Sequence, residues 1–230
     1  MDFSGWEKLS LLDYDDNLTT TLFMAGCPFR CPFCHNADLV LHPQKAPKIP
    51  WEEIKEYLLK RRGMLDAVCI SGGEPTLMDD LEAKIAEIKG LGYAVKLDSN
   101  GWRPDVLRRL IENKLVDYVA MDIKNRAEKY HSTCGTKVDL NQIKASISLL
   151  KEGKVDYEFR TTLVSEFHDD DDIPGMIELV KGAKRYFLQM YIDSEHCIVG
   201  GFHPVPKEKA QRWRDLFAKE VGYVALRGYE

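Results

Sequence analysis

The sequence predicts an α/β fold: a partial (βα)6 barrel of parallel strands, closed off by a C-terminal helix and a possible extra strand. Two observations carry this. Runs rich in Val, Ile, Thr, Tyr and Phe recur at residues 18–24, 66–71, 93–98, 117–123, 157–164 and 185–192, the composition of half-buried or fully buried strands. Between them, apolar residues recur at helical spacing. Such alternation requires right-handed crossovers and a parallel sheet. An open doubly wound sheet fits the same count of units. In either architecture ligands gather beyond the carboxyl ends of the strands, so position at a strand end is the test for each candidate functional residue.

In chain order, the first strand runs into the cysteine-rich stretch GCPFRCPFCHN, residues 26–36. HPQKAPKIP, residues 42–50, is an extended loop into a helix that aligns Trp51, Ile54, Tyr57 and Leu58 on one face. Leu77, Leu81, Ile85 and Ile88 mark the next helix, Leu107, Leu110 and Ile111 a third, and Leu140, Ile143, Ile147 and Leu150 a fourth. A fifth covers 173–180, with Pro174 in its first turn where the missing N–H is harmless. HDDDD, residues 168–172, places acidic groups at that helix's N-terminus, where the helix dipole favours them. Ala210, Trp213, Leu216 and Phe217 mark the C-terminal helix, and YVALRG is the candidate last strand. Without repeats or a low-complexity linker, residues 1–230 read as one domain.

The totals exclude some classes. With 230 residues, 44% apolar and 30% charged, the chain can bury a sizeable core. A net charge of −5 argues against a nucleic-acid partner. No apolar run reaches the roughly 18 residues of a membrane span. The acidic N-terminus lacks the pattern of a signal peptide. A cytoplasmic location follows, where thiols stay reduced.

Cys27, Cys31 and Cys34 fall within eight residues at the end of the first strand, with His35 directly after. Three thiolates so close converge on one centre. A closed zinc site wants four ligands, and His35 adjoins Cys34, an awkward neighbour to share its metal. An iron–sulfur cluster usually takes four cysteines, and Cys69, Cys134 and Cys197 stand isolated in the sequence. Spacing favours a cluster with one iron left open, and leaves zinc or thiol chemistry as alternatives.

Other strand ends carry chemistry too. SGGEPT follows the second strand: Gly72 and Gly73 allow close backbone approach to a ligand, and Glu74 offers a carboxylate to an ammonium group. Asp98 and Ser99 end the third strand. Asp122 and Lys124, at alternate positions, share a face at the end of the fourth. Arg160 and Thr162 do so on the fifth, Gln189 and Tyr191 on the sixth. An interior Arg160 needs an anionic partner, either a ligand carboxylate or one of the protein's own.

On the C-x3-C-x2-C loop, the sequence resembles the radical S-adenosylmethionine (SAM) enzymes. TLFMAGCPFRCPFCHNADLV, SGGEPT, LDSNG and VDYVAMDIK come in the order of anaerobic ribonucleoside-triphosphate reductase activating proteins, with Asp15-Asp16 where relatives often carry Pro-Gly. The resemblance implies a [4Fe–4S] cluster on Cys27, Cys31 and Cys34, with SAM on the fourth iron. It implies SAM contacts from Phe33, His35, Gly72, Gly73, Glu74 and Lys124, with Arg160 and Gln189 as further candidates. A monovalent cation is implied beside Asp98, Ser99 and Asp122. The implied task is to form a glycyl radical on a partner enzyme, with a flavodoxin or ferredoxin as electron donor. A radical SAM enzyme of carboxy-deazaguanine synthase type, acting on a small molecule, shares these loops. A zinc-binding interaction module would leave the other strand ends without a role.

Overall fold

The computed structural model describes residues 2–229. Eight strands form one sheet in sequential order: β1 (Gly5–Ser10), β2 (Thr19–Met24), β3 (Ala67–Gly72), β4 (Ala94–Ser99), β5 (Tyr118–Asp122), β6 (Asp156–Leu163), β7 (Arg185–Met190) and β8 (Tyr223–Arg227). β1 is antiparallel to β2, and every later neighbour is parallel. The helices are α1 (Ala37–Leu41), α2 (Trp51–Lys60), α3 (Leu81–Gly90), α4 (Pro104–Glu112), α5 (Tyr130–Cys134), α6 (Leu140–Lys151), α7 (Ile173–Val180) and α8 (Lys207–Phe217). No helix among the described residues is long and apolar enough to cross a membrane.

The sequential strand order decides between the two expected architectures. A doubly wound sheet must reverse its order at a switch point to cover both faces. Here right-handed crossovers without a reversal put the helices on one face, which becomes the convex side of a partial barrel. All six expected strands are present, and the extra strand forms as β8. β1 was not foreseen, because Glu7 and Lys8 make GWEKLS read as polar chain. It is fixed by its register on β2, by a 2.8 Å hydrogen bond from Trp6 Nε1 to Thr20 Oγ1, and by Trp6 edge-on against Tyr57. α1 and α5, five residues each, are too short to show a helical period.

Alternation along the strands sorts side chains between two environments. Val68, Ile70, Val95, Leu97, Val119, Met121, Phe159 and Leu188 are fully buried against helical residues such as Ile85, Leu107, Leu110, Ile147 and Leu150. The acidic run is structural. Asp169 caps its helical turn in a reciprocal capping box. Asp172 is buried between Arg126 (2.7 Å) and Lys129 (2.8 Å), and Asp170 accepts from Trp213 of α8.

Several of the alternate residues, which face the barrel interior, are charged, where a complete barrel would carry branched aliphatics. Glu158 accepts from Arg227 and from Tyr118 Oη. Above them runs a chain of ion pairs. Lys96 meets Asp98 at 3.2 Å and Arg160 meets Asp98 at 3.2 Å. Arg160 meets Asp122 at 2.6 Å, and Lys124 meets Asp122 at 2.9 Å. Burial alone would raise both aspartates. Arg160 together with Lys96 at Asp98, and with Lys124 at Asp122, offsets that larger effect and holds both carboxyls below the usual range. A carboxyl depressed in the fold stabilises it above the unfolded aspartate pKa of about 3.9 and loses that contribution as pH falls below it. The melting temperature of the protein is therefore expected to hold down to about pH 5 and fall below about pH 4, and Asp122→Asn should flatten that acid limb. An identical acid limb in the variant would show that this ion-pair chain does not set acid stability.

Candidate functional site

The cysteine loop joins β2 to α1 and is pinned from several directions. Gly26 donates to Leu39 O, and its own carbonyl accepts from Glu74 N, both at 2.8 Å. Arg30 N donates to Cys134 O at 2.8 Å. From the segment after β7, Ile198 N donates to Cys34 O (3.1 Å) and Val199 N to Pro32 O (2.8 Å). Asn36 Nδ2 donates to Gly72 O at 2.9 Å, tying the loop's exit to the turn after β3. All but the Asn36 bond are backbone anchors.

Cys27, Cys31 and Cys34 face one cavity together with Phe33, His35, Ser71, Gly72, Gly73, Asp98, Ser99, Asn100, Asp122, Lys124, Arg160 and Thr162. The residues expected from β2 to β6 thus meet at the carboxyl ends of their strands. None of the six cysteines is in a disulfide. Phe29 N and Asn100 Nδ2 lie 3.4 and 3.6 Å from Cys27 Sγ, aimed at the sulfur. Burial, with the nearby charge of Glu74, pushes the Cys27 thiol up to about 12; burial raises Cys34 as well. Cys31 moves the other way. A hydrogen bond from Cys134 pulls it down, and Lys124 adds to that against the effect of burial.

Two of the expected residues, Glu74 and Gln189, do not line this cavity, and a further cysteine packs on the loop. Glu74 does not face the cavity. It is 1% exposed, and its carboxylate accepts from Thr76 N, Thr76 Oγ1, Ser99 Oγ and Asn100 N. These contacts tie the turn after β3 to the turn after β4. Gln189 faces a second, lower cavity of about 630 Å³ with Arg227 and Tyr223. Cys134, far from the loop in sequence, packs on it: the end of α5 docks there through Cys134 O, which accepts from Arg30 N at 2.8 Å, and the Cys134 thiol is near enough to lower that of Cys31. Its separation from the loop by about a hundred residues, without a motif, left no signal in the sequence. Arg160, whose partner the sequence left open, is paired with the protein's own Asp98 and Asp122.

Two aromatic residues of the loop are also placed. Phe33 packs on Phe167 with ring centres 5.4 Å apart. His35 stacks on Tyr191 at 5.6 Å, and its Nε2 lies 2.5 Å from Ile192 O. Both still line the cavity.

Comparison with known proteins accounts for this arrangement. Residues 21–180 match the model of the radical SAM superfamily. The chain is 36% identical over 221 residues to MJ1227 of Methanocaldococcus jannaschii, assigned as a glycyl-radical enzyme activating enzyme; 93% of this chain and 89% of that protein are covered. It is 30% identical over 176 residues to the pyruvate formate-lyase-activating enzyme of Staphylococcus aureus (strain USA300), covering 72% of this chain and 69% of that one. The structure of Streptococcus suis SuiB bound to S-adenosylmethionine superposes with a TM-score of 0.69 at 13% identity, over 90% of this chain and 52% of that chain, a likeness of fold. The chain belongs to the radical SAM superfamily, and within it to the glycyl-radical enzyme activating enzymes.

The family implies a [4Fe–4S] cluster and SAM, and the donor set fits them. The donor set consists of three thiols converging on one cavity, the soft ligands that iron–sulfur clusters take. The metal's charge also offsets the burial that keeps Cys27 and Cys34 protonated.

Close packing of the two glycines holds the loop against β3. A Cβ on Gly73 would sit 2.0 Å from Gly26 O, and Gly72 adopts φ +115° with Met24 N 2.3 Å from a Cβ position. Gly73→Ala must therefore displace the cysteine loop. The expected outcome is a folded protein, judged by far-UV circular dichroism, that retains much less iron and sulfide after anaerobic reconstitution. Iron content equal to wild type would show that this contact does not shape the loop.

Proposed function

We propose that the protein generates a glycyl radical on a partner enzyme, an anaerobic ribonucleotide reductase, by reductive cleavage of SAM. One observation carries this reading: three convergent thiols share a single cavity with the turns after β3, β4 and β5. In this reading Cys27, Cys31 and Cys34 each hold one iron of the cluster. Held there, a cluster would supply the single electron needed for reductive cleavage of the sulfonium–C5′ bond of SAM.

The chain's own residues bind and orient. Gly72 and Gly73 bring backbone polar groups up to the methionine end of SAM. Lys124, held charged by Asp122 despite its burial, faces the SAM carboxylate. Phe33 and His35 supply flat surfaces near the adenine. Ser99 and Asn100, positioned by Glu74, complete the wall. The Cα–H of a glycine is a suitable hydrogen donor, because both flanking amides delocalise the resulting radical.

The sheet's shape supports a protein substrate. β1 and β8 end the sheet without pairing with each other, so the barrel has an open side through which an extended loop can reach the cavity. The order of the SGGEPT, LDSNG and AMDIK turns supports the reductase activases as the branch. A cytoplasmic location and a flavodoxin or ferredoxin as electron donor complete the proposal.

The test is incubation of the reconstituted, reduced protein with SAM and the glycyl radical enzyme encoded beside it. The expected outcome is a glycyl EPR doublet and one 5′-deoxyadenosine per radical formed, with neither product from Cys31→Ala. Cleavage of SAM without a glycyl signal on any such partner would favour a small-molecule substrate.

A further inference from the structure

The ion-pair chain beneath the cavity bears on how the site neutralises its own carboxylates. The resemblance of this chain to activases implies a monovalent cation beside Asp98 and Asp122. In the structure the space between those two carboxylates is spanned by Arg160. Its Nη2 lies 3.2 Å from Asp98 Oδ2, and its Nε donates to Asp122 Oδ1 at 2.6 Å. The remaining contacts are equally committed. Asp98 Oδ2 also accepts from Ser71 Oγ at 2.9 Å. Asp122 Oδ2 accepts from Lys124 Nζ at 2.9 Å. Asp98 Oδ1 has no hydrogen bond, but it faces the Lys96 ammonium at 3.2 Å. Ser99 Oγ donates to Glu74 and is not aimed at either aspartate.

Charge counting agrees with the geometry. Lys96, Arg160 and Lys124 bring three positive charges to two carboxylates, in a place where the side chains of Asp98 and Arg160 are 13% and 16% exposed. One positive charge is left over, which suits the single carboxylate of SAM. An added alkali ion would leave two, in a largely buried setting where uncompensated charge is costly. It would also have to displace the guanidinium from at least one aspartate. Arg160 lines both the upper cavity and the lower one, so it forms the floor between them.

We propose that the Arg160 guanidinium is the resident cation of this site, and that SAM binding here requires no alkali metal ion. The proposal rests on the radical SAM reading. Arg160 acts as a positioning residue: it fixes Asp98 and Asp122, and through Asp122 it fixes Lys124.

The experiment is equilibrium dialysis of radiolabelled SAM against the reconstituted, oxidised holoprotein. It is run in tetramethylammonium, sodium and potassium chloride at equal ionic strength. For the wild type, SAM affinity is expected to agree within about twofold across the three salts, whereas a tightening of about tenfold or more in sodium or potassium would overturn the proposal. Arg160→Gln removes the charge while keeping a polar side chain. Its SAM affinity is expected to be weak in tetramethylammonium and to recover about tenfold in sodium or potassium. A variant that binds SAM as tightly as wild type in every salt would also overturn it. A thermal-shift series on the cluster-free proteins gives a readout independent of SAM: potassium should stabilise Arg160→Gln over tetramethylammonium, and leave wild type unchanged. Potassium stabilising both equally would contradict the assignment. Failure of the wild type to bind SAM in any salt is a different result, and it would remove the underlying radical SAM reading.

Discussion

Charge buried inside the barrel is the constraint on which the rest of the structure depends. A curled sheet whose inner face carries Lys96, Asp98, Asp122, Glu158, Arg160 and Arg227 can close only if every one of those groups finds a partner. Buried ion pairs contribute little net stability against apolar residues of the same volume, but removal of one partner is strongly destabilising. The pairs therefore specify position more than they add stability. Asp98 sits on β4, Asp122 on β5 and Arg160 on β6, so satisfying Arg160 fixes the relative height of three strands. The same residues line the cysteine cavity.

The cysteine loop is a separately anchored piece. It has no regular structure, yet its three thiols converge on one cavity. The structure achieves this with backbone hydrogen bonds from α5, from the segment after β7 and from the turn after β3. The Gly72-Gly73 turn packs so closely on Met24 and Gly26 that it admits no side chain. Glu74 carries the constraint onward: four hydrogen bonds from the turns after β3 and β4 meet on its carboxylate. The loop and the two turns behave as one unit, and a change in any of them reaches the others through backbone contacts.

Much of this was legible in the sequence, for identifiable reasons. The strands announced themselves through β-branched and aromatic runs, and the long helices through their apolar period. The rim position of Cys27, Gly72, Asp98 and Lys124 followed from the rule that ligands gather at carboxyl ends. Other features depend on tertiary contacts that leave no periodic trace. β1 is polar and is held by pairing on β2. The docking of Cys134 on Cys31 joins segments far apart in the chain. The Glu74 carboxylate joins two turns, a contact that a motif cannot convey. Gln189 shares its strand's inner face as expected, yet it lines the lower cavity. Arg160 shows both sides of the matter: its need for an anion was readable, but the identity of that anion was a question of distances.

The account centres on a cluster held by three thiolates with one iron open to SAM. The most direct measurement is Mössbauer spectroscopy of the protein reconstituted with ⁵⁷Fe, with and without SAM. The account predicts a [4Fe–4S] spectrum in which one iron site, and only one, changes its isomer shift when SAM is added. Four iron sites unaffected by SAM, or a stoichiometric zinc in place of iron, would contradict it.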